Sequence, residues 1–476
     1  MMDFLSAVDD FVWGLPLIIL IIACGVWLTV RIRCLQVFHL GKALRFMVQN
    51  EEGGHGEVTS FGALCTALSA TIGTGNIVGV ATAVGGGGPG ALFWMEVAAF
   101  FGMATKYAEG LLAVKYREID KSGHVLGGPF YYIEKGMGAS WKWLAMLFAA
   151  FGTLAGLMGI GTITQINGIT SAAQNFFDPD AAHVILLVGS GDNQNAITLT
   201  TVIVGILVTV CVALVVIGGI QRIAQVSQVI VPFMAIIYVL CGLLILLFNL
   251  SAIPSALYQI VYGAFNPRAV AGGIAGITIR NAMQSGVARG IFSNEAGLGS
   301  APIAAAAAQT KDPVRQGLVT MTGTFIDTIV ICTMTGLSIV ITGAWNPEVT
   351  GQALKGASVT MYAFQNALPF PNAVCSFLLM VCLMFFAFTT ILGWDYYSER
   401  CLEYLTKGNM GPVKIYRWLY IAAVFVGPYL TVSAVWTIAD IFNGLMAIPN
   451  IIGLLALSGV VASETKAYFD RKGYLN

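Results

Sequence analysis

Two glycine-rich stretches interrupt apolar segments of this 476-residue chain. The first reads Ser69-Ala-Thr-Ile-Gly-Thr-Gly-Asn-Ile-Val-Gly79, and the second reads Gly286-Val-Ala-Arg-Gly-Ile-Phe-Ser-Asn-Glu-Ala-Gly-Leu-Gly-Ser300. Unwound backbone inside a membrane is tolerated only where it faces protein or a water-filled cavity. Because one stretch lies in each half of the chain, the sequence predicts two broken helices that border a shared binding site.

The composition places these stretches in a membrane protein. Hydrophobic residues make up 57% of the chain and charged residues only 10%, whereas soluble domains carry about 25% charged residues. Lys plus Arg equal Asp plus Glu at 24 each, so the net charge is zero. These values exclude a disordered chain and a basic nucleic-acid-binding protein, and they argue against a soluble enzyme. An all-α polytopic membrane protein remains.

The hydropathy pattern predicts eleven transmembrane helices. Their approximate bounds are 13–30, 59–84, 90–116, 143–175, 197–218, 223–249, 271–306, 314–343, 372–403, 413–431 and 434–463. Residues 39–50 mix apolar and basic side chains and predict an amphipathic helix at the membrane interface, with a polar linker as the alternative.

The distribution of Lys and Arg predicts the orientation of the chain. If the loop after the first helix is cytoplasmic, only Arg268 and Lys355 lie outside, and Lys106, Arg280 and Arg289 lie within spans. All other Lys and Arg residues then fall on cytoplasmic loops and flanks. We therefore expect the N-terminus outside and the C-terminus in the cytoplasm.

Ten of the eleven helices divide into two halves of five. The first half covers residues 59–249 and the second covers 271–463, and because five is odd the halves must enter the membrane from opposite sides. This is the inverted-repeat arrangement of many secondary transporters. Residues 1–58 would form a leading transmembrane helix plus the interfacial helix, and 464–476 a cytoplasmic tail.

Helix packing is the alternative explanation of the glycines, since Gly75-x-x-x-Gly79 is also a small-residue packing motif. Packing does not explain Arg289 and Glu295, because a charge at the centre of a membrane helix costs ~2.5–3.5 kcal/mol. We expect these two charged residues to pair with each other or with gate residues.

These motifs resemble the alanine or glycine:cation symporter family, within the amino acid–polyamine–organocation superfamily. The resemblance runs through residues 71–76, 127–132, 286–297 and 388–394 and covers essentially the whole chain. It implies a leucine-transporter-like 5+5 inverted repeat with one extra N-terminal helix and two helices unwound at mid-membrane. It also implies sodium- or proton-coupled uptake of small neutral amino acids across a prokaryotic inner membrane.

A zwitterionic amino acid needs a partner for each of its charges. The half-helix that starts near Gly75 offers N–H groups and the positive end of a helix dipole, so we expect Thr74, Gly75 and Asn76 to bind the carboxylate. Carbonyls freed around Phe292 and Ser293 are expected to receive the ammonium group.

Further side chains complete the expected site. Gln165 could supply an amide oxygen, with a hydrogen bond to a neighbouring helix as the alternative. Phe292 and Trp394 would leave room only for a methyl-sized side chain; interfacial anchoring is the alternative for Trp394, and the resemblance favours the pocket. The expected substrate-binding residues are Thr74, Gly75, Asn76, Gln165, Phe292, Ser293, Asn294, Thr390 and Trp394.

The resemblance to the leucine transporter implies one sodium ion between the first broken helix and the eighth core helix. Transferred by motif, its ligands are the carbonyls of Ser69, Ile72 and Phe386 and the hydroxyls of Thr389 and Thr390. Oxygen ligands suit this hard cation, and back-bonding to the preceding turn is the alternative for the two hydroxyls. The set contains no carboxylate, which favours sodium over a titrating proton site.

The expected function is sodium-coupled symport of alanine or glycine by alternating access, with a proton-coupled or exchange-only carrier of the same fold as the alternative. Sodium is the expected coupling ion, and no organic cofactor is expected. The expected partners are the amino acid, sodium and the lipid bilayer, without nucleic acid, and the protein is expected to be a monomer. Nine scattered cysteines without a CxxC pair and four histidines outside the apolar segments argue against a membrane-embedded enzyme.

Overall fold

The computed structural model describes residues 2–49, 51, 54–121, 123–188, 195–266, 278–430 and 432–471. Within them, seven helices are long and apolar enough to cross a membrane, or eight if the two halves of one bent helix count as a single span. The prediction of an all-α polytopic protein is therefore confirmed at this level. The eleven-helix count and the 5+5 repeat stay predictions.

The helices of the first half follow one another with short connections. They are α1 Met2–Val12, α2 Leu15–Arg31, α3 Leu35–Phe38, α4 Leu40–Val48, α5 Ser60–Thr71, α6 Val80–Gly87, α7 Gly90–Lys115, α8 Pro129–Tyr131, α9 Lys142–Met158, α10 Ile163–Phe177, α11 Leu199–Val216, α12 Gly219–Phe248 and α13 Ile253–Phe265.

The described helices of the second half begin after residues 267–277. They are α14 Ile279–Asn294, α15 Ala301–Ala306, α16 Pro313–Thr324, α17 Thr333–Thr342, α18 Pro347–Thr350, α19 Ala357–Ala367, α20 Asn372–Leu405, α21 Met410–Val426, α22 Val432–Ala456 and α23 Ser458–Arg471.

Shorter elements complete the described chain. Gly75–Gly79, Tyr132–Gly136 and Phe325–Cys332 are π-helical, and Ala139–Trp141, Leu250–Ala252 and Gly427–Tyr429 are 3-10 turns. Two antiparallel hairpins pair β1 Glu118–Ile119 with β2 Val125–Leu126, and β3 Val184–Val188 with β4 Asn195–Thr198.

Both broken helices start with a threonine N-cap and stop inside the protein. The Thr59 hydroxyl accepts the Gly62 N–H before α5, and the Thr278 hydroxyl accepts the Asn281 N–H before α14. Helix α5 and the helical segment that begins at Gly75 are bent by 51°. Helix α14 ends at Asn294, and the helix resumes as α15. The first broken helix is α5 with Gly75–Gly79 and α6; the second is α14 with α15.

Two of the predicted continuous helices are irregular. The helix expected over 143–175 is divided into α9 and α10, because a Cβ at Gly159 would lie 2.7 Å from Ala439 Cα and one at Gly161 would lie 2.6 Å from Trp394 Cβ. The helix expected over 314–343 contains the π-helical segment Phe325–Cys332. Such π-bulges are frequent at functional sites.

Helix α7 lies at the centre of the packing and contacts α14, α16 and α2. Glycine allows two of these contacts. A Cβ at Gly286 would lie 2.1 Å from the Ala91 carbonyl oxygen, and one at Gly110 would lie 2.4 Å from the Thr320 hydroxyl. Close backbone approach of this kind is how membrane helices pack without a hydrophobic driving force.

The amphipathic segment predicted over residues 39–50 forms helix α4, which packs against α16. The polar linker was therefore the wrong alternative. Its position at the membrane interface stays a prediction.

Candidate functional site

Side chains hold the first break open by taking backbone N–H groups away from the helix. In a continuous α-helix, the Gly73 N–H would donate to the Ser69 carbonyl. It donates instead to Asn76 Oδ1 at 2.9 Å, and the Thr74 N–H donates to Gln165 Oε1 at 3.3 Å. The two carbonyls that these N–H groups would have satisfied thus lose their helical partners.

The second break is held open by the same device. In a continuous helix the Ala296 N–H would donate to the Phe292 carbonyl, but it donates to Asn294 Oδ1 at 2.9 Å. The next N–H, that of Gly297, donates to Glu109 Oε1 at 3.2 Å. The carbonyl of Phe292 and that of the residue after it therefore lose their helical partners.

The two breaks meet face to face. A Cβ built on Gly75 would lie 3.3 Å from both the Phe292 ring and Ser293 Cα, so the absence of a side chain on Gly75 allows this approach. Asn76 and Ser293 are both fully buried beside the same carboxylate. The structure thus brings the predicted residues of both broken helices together.

That carboxylate belongs to Asp327 in the π-helical segment. Asp327 Oδ1 accepts from Asn76 Nδ2 at 2.8 Å, and its Oδ2 accepts from the hydroxyls of Ser293 at 2.9 Å and Thr328 at 2.8 Å. Thr328 in turn accepts from Asn294 Nδ2 at 3.0 Å. Asp327 therefore connects three predicted site residues on the two broken helices.

The sequence reasoning treated Asp327 only as a structural pair or gate contact. An acidic residue inside an apolar span is itself a signal of a functional site, and this signal was available. The π-helical turn that aims Asp327 at both breaks was not available, since nothing in the local sequence of α16 marks it.

Thr74 and Gln165 are in contact at the first break. The Thr74 hydroxyl oxygen is buried and has no hydrogen-bond partner among the described residues. Gln165 uses its amide oxygen on the Thr74 N–H and its amide nitrogen on the Ile160 carbonyl, at 3.0 Å. In this conformation Gln165 thus makes the neighbouring-helix contact that was weighed as its alternative, at the position expected for substrate.

Trp394 is fully buried and so is not an interfacial anchor. Its indole N–H donates to Glu295 Oε1 at 2.8 Å, and the Ser300 hydroxyl donates to Glu295 Oε2 at 2.5 Å. Glu295 has a φ of +56°, a left-handed conformation that ends α14. Trp394 therefore contacts the second break through this carboxylate.

Four of the five predicted sodium ligands lie together. The Thr390 hydroxyl is 3.3 Å from the Ile72 carbonyl and 3.0 Å from the Phe386 carbonyl, and the Thr389 hydroxyl is 3.0 Å from the same Phe386 carbonyl. The fifth, Ser69, is fully buried and its hydroxyl donates to the Thr66 carbonyl. Both threonines back-bond to their own helix, as their alternative assumed, but Thr390 also reaches across to the first break.

Arg289 and Glu295 do not pair with each other. Arg289 Nη2 lies 2.9 Å from Asp440 Oδ2, and its guanidinium group lies 5.5 Å from the centre of the Phe292 ring. Of the two expected arrangements, pairing between Arg289 and Glu295 was wrong, because the left-handed turn at Glu295 directs its carboxylate to Trp394. The Arg289–Asp440 pair joins α14 to α22 next to Phe292.

Three cavities lie on the side of the site that is expected to face outside. The largest, about 790 Å³, lies between the first broken helix and residues 345–359. A cavity of about 290 Å³ adjoins Arg289 and Asp440. The third, about 380 Å³, reaches Ala172 and Leu383, and Leu383 is three residues before Phe386.

The side expected to face the cytoplasm is held by polar contacts. Arg117 donates to the carbonyls of His55, Ala306, Ala308 and Thr310, at 2.6–3.0 Å. These bonds join the start of the first broken helix to the end of the second.

A second group of contacts centres on His124, in the turn between β1 and β2. Its Nδ1 lies 2.9 Å from Glu57 Oε1, and its Nε2 lies 2.9 Å from Glu403 Oε1. Arg400 Nη1 donates to Glu403 Oε2 at 2.6 Å. These hydrogen bonds to Glu403 and Glu57 raise the pKa of His124 to about 9, so the imidazolium form holds the start of α5 against the end of α20.

We expect this contact to make stability depend on pH. Because the pKa of His124 is raised from about 6.5 in the unfolded chain, its contribution is complete below pH ~6.5 and is lost as the pH rises through about 9. The exchange His124→Gln should lower the melting temperature by a few degrees at neutral pH and leave it nearly unchanged at alkaline pH. The exposed His55 supplies a control: if His55→Gln has the same pH profile, the assignment to His124 is wrong.

Comparison with known proteins agrees with this geometry. The sequence profile described as the sodium:alanine symporter family matches residues 1–474. The chain belongs to the sodium:alanine symporter family. A sodium/alanine symporter of Methanococcus maripaludis is 46% identical, over 98% of this chain and 98% of that protein.

Further relatives cover equally large shares of the chain. An uncharacterized transporter of Haemophilus influenzae is 54% identical over 98% of this chain and 96% of its own length. An amino-acid carrier protein of Bacillus subtilis is 36% identical over 98% of this chain and 91% of its own length. This member of the sodium:alanine symporter family is therefore a multi-pass membrane transporter and not an enzyme, and membership implies sodium as the coupling ion.

Proposed function

We propose that the protein couples the entry of sodium to the uptake of a small neutral amino acid, alanine or glycine, by alternating access. The observation that carries this proposal is the matched pair of breaks. Each break removes backbone partners by side-chain capture, and the two meet at Gly75 and Ser293. Freed N–H and C=O groups at one point can bind both ends of a zwitterion without a permanent ion pair.

In this proposal Thr74, Gly75 and Asn76 bind the substrate carboxylate, and the carbonyls of Phe292 and Ser293 accept the ammonium group. The unpartnered Thr74 hydroxyl and the displaced carbonyls at the second break support these roles. Glutamine 165 would exchange its bond to Thr74 for one to the ammonium group.

The remaining assigned residues fix the shape of the site. The buried rings of Phe292 and Trp394 lie against the two breaks and favour a methyl-sized or smaller side chain. Asn294 and Thr390 border the substrate from the second break and from α20.

Sodium would bind to the carbonyls of Ser69, Ile72 and Phe386 and to the hydroxyls of Thr389 and Thr390. The short distances among four of these oxygens support the assignment. Thr390 lies beside both proposed sites, because a Cβ on Gly73 would be 2.5 Å from its hydroxyl oxygen and 3.2 Å from Gln165 Oε1. This proximity offers a physical route by which sodium stabilises the substrate site.

We place the N-terminus outside and the C-terminus in the cytoplasm of a prokaryotic inner membrane, with the protein acting as a monomer. In this orientation the cavities near Arg289 and Leu383 open outward, while Arg117 and His124 close the inner side. Inward opening would then require these inner contacts to break and the Arg289–Asp440 pair to shield the outer side.

The energetics are sufficient for accumulation. One positive charge crossing ~100 mV contributes ~2.3 kcal/mol, and a tenfold sodium gradient adds roughly 1.4 kcal/mol. The sum of about 3.7 kcal/mol would hold a neutral amino acid several hundredfold concentrated.

A proton-coupled carrier is the second candidate, and one observation favours it. Glu109, Glu295 and Asp327 are buried near a single buried cation, Lys106. Three buried carboxylates and one lysine leave an excess of negative charge that a cation or protons must offset.

Uptake of radiolabelled alanine into proteoliposomes tests the proposal. We expect accumulation with an inward sodium gradient and none when choline replaces sodium at constant pH, because only sodium fits an oxygen site without a titrating group. Accumulation driven by a pH gradient in choline would contradict sodium coupling and favour the proton-coupled carrier. Glycine and a bulkier amino acid as competitors would test the size limit.

A further inference from the structure

A basic cleft of about 720 Å³ lies between the end of α2 and α23, away from the proposed transport site. Its cations are Arg31, Arg33 and Lys466, and its apolar lining includes Leu35 and Phe38. The three cationic side chains belong to exposed residues, so their charged groups are available to a ligand.

The positive charge of the basic cleft is not neutralised within the described part of the protein. Residues 11–50 contain four Lys and Arg residues and no Asp or Glu. Among the described residues, Arg31, Arg33 and Lys466 form no ion pair within 4.0 Å. Glu464, on the same helix as Lys466, is paired with Lys115 at 2.7 Å. The cleft thus favours an anion.

An exposed apolar stripe on α2 leads directly to the basic cleft. Its members share one face of the helix at spacings of three and four residues and are Ile19, Ala23, Val26, Trp27 and Val30. Val30 is 66% exposed and Phe38, in the cleft, is 75% exposed. The Arg31 guanidinium lies 5.0 Å from the Trp27 ring centre, at the point where the stripe ends.

We propose that the basic cleft binds the phosphate group of an anionic phospholipid, whose acyl chain lies along the apolar stripe of α2. Guanidinium groups bind phosphate oxygens through paired hydrogen bonds, and basic pockets between membrane helices select acidic headgroups. A free phosphate ion shares the headgroup chemistry, but it would leave the stripe uncovered. The lipid would bridge the leading helix α2 and the C-terminal helix α23.

Native mass spectrometry of the full chain in detergent can test this proposal, with phosphatidylglycerol, phosphatidylcholine and inorganic phosphate titrated separately. We expect phosphatidylglycerol to bind more tightly than phosphatidylcholine and to resist competition by inorganic phosphate. The double variant Arg31→Gln/Arg33→Gln should weaken binding about 25-fold, since each cation near an anionic headgroup contributes about fivefold. Lys466→Gln, on an exposed face of α23, should weaken it about fivefold and serves if the double variant does not fold.

The double variant Lys407→Gln/Lys414→Gln is the matched control, because it removes two exposed cations outside the cleft on the same expected side. Its affinity for phosphatidylglycerol should equal that of the unmodified protein. Equal weakening in the control would overturn the proposal, as would equal affinity for the two lipids. Full competition by inorganic phosphate would assign the cleft to a free anion instead of a lipid.

Discussion

Asp327→Asn is expected to reduce sodium-driven alanine uptake by about 100-fold or more while leaving the abundance of the protein near normal. The Asp327 carboxylate accepts hydrogen bonds from Asn76, Ser293 and Thr328 at 2.8–2.9 Å. An asparagine has one acceptor oxygen where the aspartate has two, and its amide nitrogen would face a donor. Each hydrogen bond to a charged group contributes about 1.5–3 kcal/mol, so the loss of two accounts for the expected effect.

The kinetic constants separate a role at the site from a role in folding. If Asp327 positions Asn76 and Ser293, the KM for alanine should rise and the maximal rate should fall in correctly inserted protein. Asp178→Asn is a matched control, since Asp178 is also buried and accepts backbone N–H groups, from Ala182 and His183, far along the chain from the breaks. Unchanged uptake by Asp327→Asn would show that the network does not support transport.

The two broken helices could be predicted from sequence because their glycines and polar residues contrast with apolar surroundings. Gly73, Gly75 and Asn76 stand in a span that is otherwise hydrophobic, and Glu295 carries a charge that lipid does not tolerate. These local signals located the breaks without any knowledge of the three-dimensional packing.

The partners of each break could not be predicted in the same way. The Gly297 N–H is captured by Glu109, which is 188 residues away in the sequence, and Asn76 donates to Asp327, 251 residues away. Such pairs depend on helix packing and on the π-helical turn at Asp327, neither of which has a local pattern. Arg289 was paired wrongly with Glu295 as one of two options for this reason, since proximity along the chain was the only available guide.

The capture of N–H groups explains why both breaks need a side-chain acceptor as well as glycine. Glycine lowers the cost of unusual backbone angles, but it does not prevent a helix from closing its hydrogen bonds. Asn76 and Gln165 at the first break, and Asn294 and Glu109 at the second, supply acceptors that compete with the helix. Substrate or sodium can then bind carbonyls that the protein has already freed.

Thr390→Val is expected to raise the sodium concentration for half-maximal uptake by about 10–100-fold. Valine keeps the shape of threonine but lacks the hydroxyl that lies 3.3 Å from the Ile72 carbonyl and 3.0 Å from the Phe386 carbonyl. Loss of one oxygen contact to a cation costs about 1.5–3 kcal/mol, which gives this range. Sodium titration of alanine uptake in proteoliposomes measures the change directly.

Two further variants show whether the hydroxyl of Thr390 binds sodium or only packs the helix. Thr390→Ser keeps the oxygen and should restore most of the sodium affinity. Thr66→Val removes a buried hydroxyl whose printed partner is the Gly62 carbonyl of its own helix, at 2.9 Å, and should leave sodium dependence unchanged. If Thr66→Val and Thr390→Val had equal effects, the back-bonding alternative would explain Thr390, because both variants lose that bond while only Thr390 reaches across to the first break.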